Sequence, residues 1–372
     1  MRRAAVAAFL LVALALPASA GADAIPFVPA SARNYAHAHR RASAVRMIVI
    51  HVVEGTYWGA ISWFQNPRAR ASANYVVGRD GAATEMVPWW DVAWHAGNGW
   101  VNRHSLGIEH EGYTNVPWTF TDAEYRSSAH LVADLARRYR IPLDRRHVIG
   151  HNEVPDPFHS GLYGGWAHHT DPGRYWDWTR FMTYARTYAS GAVPAPPAFD
   201  VTVPSVRFGA TVGGALHWEA ATTGATADHV DFSIDGKTVA TSRTAPYALD
   251  LETSTLANGR HALGVHAVAT DGHVANATVV VKIQNAWPKL TGVTLTDQQD
   301  VTGAVPIGVT TKGRVLRVEF LVDGALAATA TQPPYAWTWD TTNVADGPHI
   351  VTVRAVGGRR NATRNYTVFV TH

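Results

Sequence analysis

The chain contains no cysteine. Disulfides are thereby excluded, and any metal centre must be built from histidine and carboxylate side chains. Its 19 histidines leave ample material for one. An excess of one charge is missing as well, since 32 Lys and Arg stand against 29 Asp and Glu. No basic field strong enough to argue for a nucleic-acid partner is present. After the first twenty residues no apolar run is long enough for a transmembrane helix. The HExxH signature of helical zinc proteases is also absent. What remains is a chain of 372 residues, 47% of them hydrophobic, which is a folded composition and too long for one typical core. Two or three domains are expected.

The N-terminus reads as an export signal. Arg2 and Arg3 precede an apolar run over 4–16, and Ala18-Ser19-Ala20 fits the small-x-small cleavage rule. A signal peptide over 1–20 is expected, with a mature chain that is secreted, extracellular or associated with the cell wall. Residues 21–40, rich in Ala, Pro and His, read as an extended leader.

Residues 41–190 alternate strand and helix signals. The stretch 45–53 is apolar on both alternate faces, the mark of a buried central strand. Trp58, Ile61, Trp63 and Phe64 indicate a short helix. Arg79-Asp80-Gly81 is a hairpin turn between strands at 73–77 and 84–87. Another strand covers 106–111. Thr121 and Glu124 form a capping box ahead of Tyr125, Ala129, Val132, Leu135, Ala136 and Tyr139, which recur at helical spacing until Pro142. A strand at 146–150 and a helix over 175–189 complete the unit. The sum is an α/β domain, a mixed sheet with flanking helices.

Residues 191–198, with Pro194, Pro196 and Pro197, form a stiff linker. Beyond it the chain repeats itself. Val230-Asp231-Phe232-Ser233-Ile234-Asp235-Gly236 matches Val318-Glu319-Phe320-Leu321-Val322-Asp323-Gly324, Pro246-Tyr247 matches Pro334-Tyr335, and His261 matches His349. Short alternating strands with Asp-Gly turns are the pattern of a β-sandwich. The units at 199–285 and 286–372 resemble bacterial immunoglobulin-like domains, two all-β sandwiches. His261 and His349 recur at a turn, which argues for a structural role.

Three stretches carry candidate chemistry: His51 at the end of the central strand, Glu109 and Glu111 two apart on one strand face, and His151 with the later His168-His169-Thr170-Asp171. Each alone has a bland reading as a sheet-edge residue, a solvated pair or a turn. Together they supply what a catalytic zinc needs: neutral imidazoles and a carboxylate as ligands, a second carboxylate to move protons, and a group to steady an oxyanion.

Ile50-His51, Ala93-Trp94-His95-Ala96-Gly97, Asn102, Ser105-Leu106-Gly107-Ile108-Glu109-His110-Glu111-Gly112, Gly150-His151-Asn152-Glu153-Val154-Pro155 and Thr170-Asp171-Pro172-Gly173 occur in one order across residues 45–185. In this the chain resembles the type-2 N-acetylmuramoyl-L-alanine amidases, relatives of the peptidoglycan recognition proteins. The resemblance implies zinc-dependent hydrolysis of the amide between N-acetylmuramic acid and L-alanine in peptidoglycan. It implies zinc ligation by His51, His151 and Asp171, with Glu109 as catalytic base and His169 supporting the tetrahedral intermediate. Trp94, His95, Asn74 and Asn102 are expected along the substrate cleft. Asn74 departs from the His that many members carry there. Phe158, Tyr163 and Trp166, among glycines, suggest a flexible aromatic loop over the cleft. The alternative is a non-catalytic peptidoglycan-binding protein. Such members typically lack a metal ligand, and this chain keeps all three. Contact with the cell wall through the immunoglobulin-like domains is a further expectation.

Overall fold

The computed structural model describes residues 25–357 and 360–372. The export signal expected over 1–20 lies outside the described residues. Among the described residues no helix is long and apolar enough to cross a membrane.

The N-terminal domain runs β1 (Tyr35–Ala36), β2 (Met47–Val52), α1 (Tyr57–Gln65), β3 (Tyr75–Val77), β4 (Ala83–Glu85), β5 (Val92–Ala93), α2 (Gly99–His104), β6 (Ser105–His110), α3 (Asp122–Tyr139), β7 (Val148–Gly150) and α4 (Trp178–Ala189). Its main sheet has the order β4-β3-β6-β2-β7. β2 lies between β6 and β7, parallel to both. β3 is parallel to β6 and β4 antiparallel to β3, so the sheet is mixed. Ile48, Val49 and Ile50 are fully buried because layers cover both faces of the central strand.

Side chains alternate along these strands, and the alternation positions the site. Ile48, Ile50, Leu106 and Ile108 face α3 and α4, where they pack with Leu131, Val132, Leu135 and Phe181. Val49 belongs to a second cluster with Ala96, Val101 and Val154. The same alternation puts His51 of β2 and Glu109 of β6 on that second face, adjacent in register.

α3 starts where the Thr121 hydroxyl accepts the Glu124 N–H at 3.2 Å. The capping box is only half made. The Glu124 carboxylate is fully buried without a hydrogen-bond partner, beside the Arg79 guanidinium. α4 starts at Trp178, later than its pattern suggested, because Asp177 caps the Arg180 N–H at 2.9 Å. α2 was not foreseen. It has six residues and too little periodicity to read, but Asn98 caps it by accepting from Trp100 and Val101.

Residues 25–40, within the stretch read as a leader, are part of the domain. Val28 and Ala30 donate to the carbonyls of Glu85 and Met86, and β1 pairs with β5. Asn34 is fully buried and donates to the carbonyls of Phe64 and Asn66 at 2.8 Å.

Each C-terminal repeat is a sandwich of a three-stranded and a five-stranded sheet. The first packs Trp218 edge-on against Phe232 at 5.0 Å, and the second places Ile307 and Phe320 in its core. The repeat is not uniform in spacing. Ala220 pairs with Tyr247 and Val309 with Tyr335, so the first long strands are 89 residues apart while the tyrosines are 88 apart. The last strands are 87 apart, since Leu263 pairs with Val279 and Val351 with Tyr366.

The first repeat is docked on the N-terminal domain. Arg79 donates to the Thr278 carbonyl at 2.6 Å and lies 4.5 Å over the Phe208 ring. The Thr278 N–H donates to the Trp118 carbonyl at 3.1 Å. Arg260 covers the Tyr113 ring at 4.5 Å. The linker follows the domain surface, with Arg126 donating to the carbonyls of Pro194 and Ala195.

Candidate metal centre and cleft

Three side chains from separate elements converge. His51 ends β2, His151 follows β7, and Asp171 comes from the loop before α4. The Nδ1 atoms of His51 and His151 are 3.1 Å apart. Asp171 presents Oδ2 to His51 Nδ1 and Oδ1 to His151 Nδ1, each at 3.2 Å. The Val52 N–H donates to Asp171 Oδ2 at 3.3 Å and orients it.

The separations suit a small tetrahedral cation. Ligand bonds of about 2.0–2.1 Å imply tetrahedral edges of roughly 3.3–3.4 Å. Two imidazole nitrogens and a carboxylate, all buried, form a donor set appropriate to such an ion. Burial and the neighbouring His151 lower the His51 imidazole to about 4. Burial alone would raise Asp171, but its contacts with His151 and His51 hold it well below the usual carboxylate range. Neutral imidazoles and an ionised carboxylate are the forms a metal requires.

Glu109 lies across the ladder from His51. Its Oε2 is buried without a hydrogen-bond partner among the described residues. Burial, then the Asp171 charge, raises its carboxyl well above the ordinary value. His169 stacks on His151, with centroids 4.3 Å apart and planes 15° from parallel. Its side chain is half exposed, and its Nδ1 is 3.8 Å from Asp171 Oδ1. Gly164 permits this placement, because a Cβ there would collide with the His169 backbone.

These groups line a cleft of about 1470 Å³. Trp63, Trp94, Phe158 and Trp166 also line it, three of them more than half exposed at 51%, 78% and 65% for Trp63, Phe158 and Trp166. The aromatic loop is tied down. Asp156 accepts from the backbone of Phe158 and His159 and contacts His168 Nε2 at 2.8 Å, and the Trp166 N–H donates to the Gly97 carbonyl. Asp156 carried no sequence motif beyond an Asp-Pro turn signal.

The four expected cleft residues separate. Trp94 and Asn102 line the cleft, and Asn102 Oδ1 also accepts from the backbone of His95 and Ala96. His95 reaches its floor but is buried behind His51. Asn74 does not fit the cleft role. It is fully buried, donates to the Val87 carbonyl and accepts from the Gly107 N–H, so its polar atoms are spent on clamping strands. Ser105, behind His95, was not singled out by its residue type.

Residues 41–174 match the family model for N-acetylmuramoyl-L-alanine amidase, and residues 201–265 and 288–353 match that for a bacterial Ig domain. N-acetylmuramoyl-L-alanine amidase A of Achromobacter lyticus is 35% identical over 166 residues, a match covering 41% of this chain and 88% of that protein. The 1,6-anhydro-N-acetylmuramyl-L-alanine amidase of Haemophilus influenzae is 33% identical over 121 residues, covering 31% of this chain and 58% of the relative. A solved N-acetylmuramoyl-L-alanine amidase from Clostridium intestinale is 18% identical, covering 43% of this chain and 96% of that one, with a TM-score of 0.31.

Proposed function

The chain belongs to the N-acetylmuramoyl-L-alanine amidase family, and on that ground we propose that it is a zinc-dependent hydrolase of the amide joining the lactyl group of N-acetylmuramic acid to L-alanine. The observation that carries this reading is the unpartnered Glu109 carboxyl beside the His51–His151–Asp171 group, at the floor of an open cleft. A binding module has no need of a buried, unpaired carboxyl there.

His51 Nδ1, His151 Nδ1 and an Asp171 oxygen would hold the zinc ion. When bound, it supplies a water that ionises near neutral pH and polarises the scissile carbonyl. Glu109 receives the proton of the attacking water at Oε2. It then delivers that proton to the departing alanine nitrogen, so one carboxyl serves as base and then acid. The raised affinity of Glu109 for a proton suits the second half of that task. His169 stands at the exposed side of the site, where an N–H can donate to the oxygen that becomes negative. Trp94 and the aromatic loop wall the cleft and orient the glycopeptide. An export signal over 1–20, as the sequence suggests, would put the enzyme outside the cytoplasm, against its substrate, with wall contact by the immunoglobulin-like domains as an added expectation.

The test is digestion of purified peptidoglycan with and without a chelator, followed by mass spectrometry of the soluble products. Stem peptides beginning with L-alanine, lost on chelation and restored by zinc, are expected. Glu109→Gln should retain zinc and lose about 10²–10⁴-fold in turnover. Muropeptides bound intact over hours would instead establish a binding protein.

A further inference from the structure

Among the described residues two buried histidines, His95 and His110, serve no purpose in the mechanism above, and His95 lies directly behind a proposed metal ligand. His95 Nδ1 is 2.9 Å from His51 Nε2, on the side of the ring opposite the metal-facing Nδ1. His95 Nε2 is 3.1 Å from Ser105 Oγ, and Ser105 Oγ is 2.7 Å from the Val101 carbonyl. The direction of this chain is fixed from its far end. A carbonyl only accepts, so the Ser105 hydroxyl donates to Val101. Its oxygen then accepts from His95 Nε2–H. A neutral His95 therefore offers a bare Nδ1, which accepts from His51 Nε2–H. His51 is left with a bare Nδ1, aimed at Asp171 and His151.

The packing is built around this ring. A Cβ at Gly107 of β6 would lie 2.5 Å from His95 Cγ, so position 107 admits no larger residue while His95 stays in place. The neighbouring ligand has no comparable support, since His151 Nε2 is buried without a partner among the described residues. Of the two ligand imidazoles, His51 is thus the one with an outer hydrogen-bond partner among the described residues.

We infer that His95, oriented by Ser105, is a positioning residue that holds His51 in the Nε2–H tautomer and so presents Nδ1 to the metal. The inference rests on the metal-dependent reading of the site. Outer partners of this kind typically change metal affinity about 10–100-fold. Their effect is to fix ring orientation and tautomer, not to touch substrate.

The experiment uses the full mature chain and Zn²⁺ alone, competed against a chromophoric chelator. His95→Leu should weaken Zn²⁺ binding about 10–100-fold, and Ser105→Ala should weaken it less, by about tenfold. His95→Gln restores an acceptor toward His51 and a donor toward Ser105, and should recover most of the loss. Nitrogen-15 spectra of the metal-free protein report the tautomer directly. Wild type should show His51 protonated on Nε2, and Ser105→Ala a mixture. Should His95→Leu fail to fold, Ser105→Ala and its spectrum carry the test. Wild-type affinity in both variants, or a His95→Gln protein as impaired as His95→Leu, would overturn the inference. A wild-type chain that binds no Zn²⁺ would overturn the metal reading itself, a result separable from the first.

Discussion

The two immunoglobulin-like repeats share an architecture but not a situation. At positions that hold the sandwich together they agree. Phe232 and Phe320 are both fully buried, and Asp235–His261 recurs as Asp323–His349. At the positions through which the first repeat docks, they differ. Phe208 corresponds to Asp297, Arg260 to Pro348 and Thr278 to Asn365, by the strand pairings. Duplication thus separates two kinds of constraint: the residues kept in both copies serve the fold, and those kept in one serve the contact. Thr278 shows why a contact is useful. Its N–H and carbonyl, on the strand Val274–Ile283, are paired by Trp118 and Arg79 instead of by a further strand. The N-terminal domain thereby closes part of a sheet edge that would otherwise invite pairing with another chain.

Breaking the dock at Arg79 should have the largest effect. Arg79→Met keeps the aliphatic stem but removes the charge beside the buried Glu124 and the donor to Thr278. Loss of that charged hydrogen bond to Thr278 costs on the order of 3 kcal/mol. Amide hydrogen exchange should show the first turn of α3 and the strand Val274–Ile283 losing protection together, while the second repeat is unchanged. Unaltered protection in α3 would mean that the two units are energetically independent. Phe208→Ala sharpens the contrast with a smaller expected cost of about 2 kcal/mol from lost ring burial. Asp297→Ala, at the matching position, should leave exchange in the N-terminal domain untouched. Its side-chain hydrogen bond is local, accepted from the Thr367 N–H.

None of this docking was legible in the sequence, and the reason is separation along the chain. Arg79 read as a hairpin-turn residue, and its partner Thr278 is 199 residues away. Local patterns were readable. The both-faced apolar run gave β2, and period-two alternation set His51 beside Glu109 once the strands were paired. The capping residue Thr121 announced α3. Sequence order alone could not show that Asn74 is buried among strands, or that residues 25–40 complete the domain through hydrogen bonds to Glu85 and Met86. His95 was singled out by a motif, but its partner Ser105 was ordinary in type. Its role comes from the strand that brings it under the imidazole.

A further difference between the repeats concerns acid. The pair Glu319–Arg354 in the second repeat stands where Asp231–His266 stands in the first, opposite one another in the same ladder. Glu319 accepts from Arg317 Nε and Arg354 Nε, both at 2.7 Å, and these contacts hold its carboxyl below the ordinary value against the opposing effect of burial. A depressed folded value means stabilisation that is complete above the unfolded value of about 4.3 and is lost as pH falls through the folded one. Glu319→Gln should cost about 1–2 kcal/mol near neutrality, discounted because Arg317 and Arg354 are 43% and 38% exposed. Exchange in the strand Arg317–Val322 should show a larger cost at pH 7 than at pH 3. An equal cost at both values would assign the effect to shape instead of charge.

The smallest expected effect lies where the repeats agree. His349 Nδ1 faces Asp323 Oδ2 at 2.6 Å and its Nε2 faces the Ala345 carbonyl at 2.9 Å. Both partners are acceptors, so only the imidazolium satisfies both. The Asp323 contact, then the Ala345 carbonyl, raise the His349 pKa accordingly. A raised folded value makes the stabilisation complete below the unfolded value of about 6.5 and lost as pH rises through the folded one. His349→Ala should therefore cost about 1 kcal/mol at pH 6 and less at pH 9, read from exchange in the strand Gly347–Val356. His261 makes the same two contacts, to Asp235 at 2.7 Å and Ala257 at 2.9 Å, and its replacement by Ala should cost a similar amount. Matching losses would show that docking leaves the shared turn untouched. A clearly larger loss at His261 would show that the N-terminal domain leans on this turn of the first repeat, and the division between fold-serving and contact-serving residues would have to be redrawn there.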